Sequence, residues 1–112
     1  MTARGLLIVL SDPAQGADED EFNRWYSAVH APEMVERGAA VSFRRLHASG
    51  VPLAPGIPEL PSYAAVYEIE ADTVEDVEAI QQRLDETKHL KRGMSSTLDL
   101  SSVRAAFYLP VG

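Results

Sequence analysis

The stretch GLLIVLSDP, residues 5–13, is apolar without a break from Leu6 to Leu10 and closes on a turn-forming Asp12-Pro13 pair. A strand with one wet face alternates apolar and polar residues; a strand apolar on both parities is covered on both sides. Residues 62–71, SYAAVYEIEA, have the same character, with Tyr63, Ala65, Tyr67 and Ile69 on one parity and Ala64 and Val66 on the other. These two segments are expected to be the central strands of one sheet.

The rest of the chain arranges itself around them. Four acids, Asp18 to Glu21, stand where a helix N-terminus favours negative charge, and Asp18 and Glu21 have capping-box spacing. Pro32 disfavours the helical conformation at Ala31 and lacks an amide donor, which predicts a kink, one further turn to Glu36 and a stop at Gly38. Residues Val41 to His47 read as an edge strand. Pro52, Pro55, Pro58 and Pro61 recur at every third position, the repeat of a polyproline II helix. Because they lie inside the domain, they are read as a stiff hairpin connection rather than a docking peptide. A second helix is expected from Thr73, with Val74, Val77, Ile80 and Leu84 on one stripe and the cations Lys88, His89, Lys91 and Arg92 at its C-terminus before Gly93. A last strand from about Leu100 carries Val103, Ala105, Phe107 and Leu109 on one face and Arg104, Ala106 and Tyr108 on the other.

The order β-α-β-β-α-β is that of the ferredoxin-like α+β fold, a four-stranded antiparallel sheet with two helices on one face. Its other face is left bare and apolar, which predicts a homodimer whose two sheets pack together. At 112 residues the chain is expected to be one domain, residues 1–112.

Composition narrows the function. Ten Lys and Arg against 17 Asp and Glu give a formal charge of −7, which disfavours nucleic acid and anionic lipid as partners. There is no cysteine, so thiolate chemistry and Cys-based metal sites are excluded. The apolar start is too short for a membrane span or a convincing signal sequence, so a cytoplasmic protein is expected.

Chemistry concentrates in EFNRWYSAVHAPEM, residues 21–34. At about 100° per residue, Phe22, Trp25, Tyr26 and Val29 form one apolar stripe, chiefly core. Asn23, Tyr26 and His30 line the shoulder of that stripe, where side chains can face a cleft; Tyr26 and His30 are one turn apart. A histidine near a helix end is also stabilised by the macrodipole, which is the structural alternative for His30. His30 and Glu33 have H-x-x-E spacing, but no second pair accompanies them and no metal is expected.

The string D-E-F-N-R-W-Y-x-x-x-H-x-P-E, Asp20 through Glu33, resembles the first-helix signature of EthD-like proteins of the dimeric α+β barrel superfamily. The resemblance implies a homodimer of ferredoxin-like subunits and a small, mostly apolar substrate held between sheet and helices. It carries over to Asn23, Trp25, Tyr26, His30 and Glu33, whereas the proline-rich hairpin and residues 93–102 lie outside the motif. The wider superfamily includes cofactor-independent monooxygenases, isomerases, cyclases, dehydratases and haem-dependent enzymes, and fold alone does not choose among them.

The leading expectation is cofactor-free proton transfer on a small carbonyl or phenolic compound, giving dehydration, cyclisation or isomerisation. His30 is the acid or base, because its ordinary pKa permits both roles near neutrality, and Asn23 or Tyr26 orients it or the substrate oxygen. Trp25, Phe22 and Glu33 would line the substrate. Arg44, Arg45, Tyr67 or Tyr108 could donate to developing negative charge, and strand register decides which of them do, since a shift of one residue moves each to the opposite face. The alternatives are a cofactor-independent monooxygenase acting on a phenol and a non-catalytic ligand-binding dimer. No flavin or nicotinamide fingerprint is present; haem, with His30 or His89 as axial ligand, is a minor option.

Overall fold

In the computed structural model, which describes residues 4–112, strand β1 (Gly5–Pro13) runs through the interior of a four-stranded sheet. Its neighbours are β3 (Tyr63–Ile69) and β4 (Leu98–Tyr108), both antiparallel to it, and β2 (Ser42–His47) pairs with the far side of β3. The order β2-β3-β1-β4 places the two doubly apolar strands in the middle, and with the helices on one face the architecture is ferredoxin-like.

Register decides which residues meet the helices. Leu7 lies opposite Tyr67 and Phe107, Val9 opposite Ala65 and Ala105, and Phe43 and Arg45 of β2 opposite Tyr67 and Ala65. This parity is the buried one: Tyr67, Ala65 and Ile69 are each 1% exposed. On the other parity Leu6, Ile8 and Leu10 of β1 meet Glu68, Val66 and Ala64 of β3, flanked by Arg44 and Leu46 of β2 and by Ala106 and Tyr108 of β4. Among the described residues no helix covers that side, and Leu6, Leu46 and Tyr108 are 37%, 43% and 54% exposed.

The first helix begins at its expected cap. Asp18 accepts from the amides of Asp20 and Glu21, satisfying donors that have no partner within the helix, and three acids fill the first turn of α1 (Glu19–Trp25). Only the Asp18 half of the capping box is formed among the described residues. Helix α3 (Val74–Glu86) has a complete box, Thr73 bonding the Asp76 amide and Asp76 returning to the amides of Asp72 and Thr73. These amides hold the Asp76 carboxyl below its ordinary pKa. Ile80, buried, with Val77 and Leu84 packed beside it, makes most of the stripe expected of this helix, whereas Val74, in its first turn, is exposed.

Two boundaries differ from expectation. Helix α3 ends at Glu86, where Thr87 donates its hydroxyl back to the Arg83 carbonyl and completes the last turn. Lys88 and His89 then fall in a short 3₁₀ turn, Lys88–Leu90, and Arg92 reaches across to Glu36, so these cations do not cap α3. Strand β4 begins at Leu98 rather than about Leu100, because a bulge after Leu10 lets Asp12 and Pro13 pair with Asp99 and Leu98. The proline-rich segment is an irregular connection between β2 and β3, as expected of a hairpin link.

Gly5 sits where β1 passes closest to its surroundings; a Cβ there would stand 2.7 Å from the Tyr108 carbonyl oxygen and 3.1 Å from that of Ala71. Both obstacles are backbone, so neither can rotate away. Gly5→Ala is therefore expected to lower stability by about 1–3 kcal/mol, read from the midpoint of urea unfolding.

Candidate functional site

Pro32 lies inside the first helical segment without breaking it. At this point the chain widens for one turn: residues Tyr26–His30 are π-helical, the Ala31 amide bonds the Tyr26 carbonyl five residues back, and helix α2 (Ala31–Glu36) follows with ordinary dihedrals at its first residue. A proline ring crowds the carbonyl four residues before it and offers no amide; a π-bulge relieves both. The helix stops where expected, with Gly38 at φ +75°.

The wider turn sets the position of His30. In an α-helix, residues five apart point about 140° away from each other. Here the His30 ring stacks on Trp25 five residues earlier, with centroids 4.7 Å apart and planes 17° from parallel, and meets Tyr26 edge-on at 4.9 Å. Burial pushes the His30 pKa below 6.5; Glu33 pulls it back in part, while Lys91 and Arg45 add to the depression. At neutral pH the imidazole is therefore uncharged and able to accept a proton.

Arg45 lies below this helix on the helix-facing parity of β2. Its Nη1 donates to Asn23 Oδ1 at 2.9 Å and to Ser27 Oγ at 3.1 Å, tying the edge strand to α1. The guanidinium carbon stands 4.4 Å from the Tyr26 ring centre, 5.3 Å from Tyr63 and 5.5 Å from Phe22, within cation–π range of all three. The Asn23 amide donates to the Tyr63 hydroxyl at 3.2 Å, which donates to Glu19 at 2.8 Å. Asn23 is thus a connector between Arg45 and Tyr63, fixed on both sides.

Tyr26 and Tyr67 meet under His30. Burial raises the pKa of both, and the two side chains lie close enough to influence one another. Both are protonated donors across the physiological range. Phe22 is fully buried and edge-on to Tyr26, so it forms the floor of this aromatic cluster rather than a surface open to a ligand.

Three expected substrate contacts lie elsewhere. Arg44 and Tyr108 project from the uncovered sheet face, opposite Val66 and Leu6, on the far side of the sheet from His30. The adjacent Arg45 has the parity that reaches the helix. Glu33 is buried, but its oxygens are taken: Oε1 accepts the Arg92 amide at 2.6 Å and Oε2 pairs with Arg37 at 3.5 Å. It is a tie between α2 and the segment leading into β4. His89 is exposed on the 3₁₀ turn, and His47 tilts against Tyr63 at 4.7 Å on the edge strand. The site therefore unites His30, Trp25, Tyr26, Asn23, Tyr67 and Arg45. The residues that the sequence signature does not contain are Arg45 and Tyr67, and their only signal is their parity in β2 and β3.

A surface depression of about 320 Å³ lies away from these residues, between the Gly38–Val41 loop and Ile80 and Arg83 of α3.

No protein-family model matches the chain, and no curated protein matches its sequence. Among solved structures it is similar to a dimeric ferredoxin-like protein of unknown function from Thermobifida fusca YX, at 13% identity and a TM-score of 0.52 over 98% of this chain and 93% of that one. The fold is shared over essentially the full length. Among the described residues no helix is long and apolar enough to cross a membrane.

Two outcomes follow from the geometry. His30, followed by its ring proton resonances, is expected to titrate with a midpoint below 6.5. Its contribution to stability is complete above pH 6.5 and is lost as pH falls through the folded-state value, so His30→Gln is expected to flatten the decline of stability over that window. Glu33→Ala leaves the Arg37 guanidinium buried without its counter-charge and is expected to cost about 3–5 kcal/mol in chemical unfolding.

Proposed function

We propose that this chain is an EthD-like subunit of a dimeric α+β barrel and a cofactor-independent enzyme. It moves a proton on a small apolar carbonyl or phenolic compound, in a dehydration, cyclisation or isomerisation. The observation that carries this reading is an uncharged imidazole stacked on Trp25 and set against Tyr26, half-buried on the helix shoulder.

Such an imidazole can take a proton from an acidic C–H or O–H, becoming imidazolium while the substrate becomes an enolate or phenolate. It can return that proton to a departing hydroxyl or to a second carbon, so the enzyme ends as it began. The charge that develops on the substrate oxygen is favoured by the Arg45 guanidinium and by the protonated Tyr26 and Tyr67 hydroxyls. Trp25 supplies an apolar, aromatic wall of the kind that holds a planar substrate.

Assembly as a homodimer is supported by the bare sheet face, where Leu6, Ile8, Leu10, Val66 and Leu46 lie together, and by the solved structural neighbour, which is described as dimeric. Placing the two sheets together would cover that face and leave His30, on the opposite parity, facing the helices of its own subunit.

Solvent-deuterium exchange tests the chemistry without a known product. Small aryl ketones, 1,3-dicarbonyl compounds and phenols with acidic C–H positions, incubated with the protein in D2O, are expected to exchange faster than in buffer, whether or not oxygen is present. His30→Gln is expected to slow that exchange by about 10²–10⁴-fold. Equal exchange by a folded His30→Gln protein would remove His30 from the chemistry, and no catalysed exchange across the panel would favour a binding protein.

A further inference from the structure

We infer that the ligand of this site carries a carboxylate, seated on the Nε–Nη2 edge of Arg45. The inference deepens the proposed function, since it takes the space around His30 as the ligand site, but it does not depend on proton transfer.

The argument rests on how the five N–H groups of one guanidinium are used. Nη1 is fully engaged by Asn23 and Ser27. Nε and Nη2 are both buried, and among the described residues neither has an acceptor. These two atoms carry parallel N–H bonds on one edge of the planar group, the fork that a carboxylate takes with both oxygens at once. The protein thus fixes the guanidinium by one nitrogen and leaves the matched pair open.

Charge points the same way. Among the described residues no carboxylate lies within ion-pair distance of Arg45, although the chain has 17 acids and a net charge of −7. The nearest acid in the network, Glu19, is spent on the Tyr63 hydroxyl. Burial lowers the Arg45 pKa, yet a guanidinium remains charged at any physiological pH. An unpaired, partly buried cation with two buried, unbonded donors is costly, and a ligand carboxylate removes both costs together. The rings of Phe22, Tyr26 and Tyr63 around it, with Trp25 above, suit an aryl or short apolar acid. Because the fork is shielded from water, entry moves one of these rings aside.

Two matched pairs of probes test the inference: benzoate with benzamide, and phenylacetate with phenylacetamide. In ¹⁵N-labelled protein the Arg45 Nε–H resonance is expected to move with each acid and not with its amide, and the acids are expected to bind at least about tenfold more tightly. Arg45→Lys, which keeps the charge but lacks the fork, is expected to lose about tenfold or more in acid binding while retaining its fold by circular dichroism. Arg44→Lys, on the uncovered sheet face, is expected to bind as the unmodified protein does. Equal binding of acid and amide, or undiminished acid binding by folded Arg45→Lys, would overturn the inference. Exchange on neutral ketones is a separate readout, so its persistence when acids fail to bind would remove the carboxylate and leave the proton chemistry standing.

Discussion

A proline within a helix must be accommodated somewhere, and here the accommodation is a single widened turn. With no amide at Pro32 and no room for its ring under an α-helical Ala28 carbonyl, residues Tyr26–His30 take the five-residue hydrogen-bond spacing. The consequence is rotational. The wider turn swings His30 back over Trp25 and Tyr26, and the stacked rings and the desolvated imidazole depend on that swing.

The second constraint is that the edge strand and the first helix are held together by a cation in an aromatic setting. Arg45 is stacked over Tyr26, bonded to Asn23 and Ser27, and reaches Tyr63 and Glu19 through Asn23. A polar network at a sheet–helix boundary positions its members sharply when it is satisfied. Among the described residues, its buried polar side-chain atoms lack a partner at two nitrogens of Arg45. Rigid surroundings with a local deficit are what a binding site requires, since the scaffold need not be ordered again when the ligand arrives.

The fold was legible in the sequence because it depends on periodicity and burial. Doubly apolar runs marked β1 and β3 as central, alternation gave the helix-facing residues of β4, and Thr73 with Asp76 located the start of α3. The candidate site was half legible. Its helical members stand together in sequence, but the stacking of His30 on Trp25 follows from a π turn that an α-helical wheel does not contain. Pro32, read as a kink, was its only trace. Arg44 and Arg45 are neighbours whose roles are separated by one step of register, and register depends on pairing with β3. Glu33 matched the signature, yet Arg37 and the Arg92 amide occupy it, and a bond spanning 59 positions leaves no local mark.

The strict division of the sheet by parity has an evolutionary consequence. Each strand presents two independent alphabets: odd positions of β1 and β3 build the interior beneath the helices, and even positions build the outer wall. A mutation in one alphabet leaves the other intact even when the altered residues are neighbours in the chain. Selection can therefore retune the outer wall and the interior as separate traits. A scaffold divided in this way can diverge on one face without rebuilding the other.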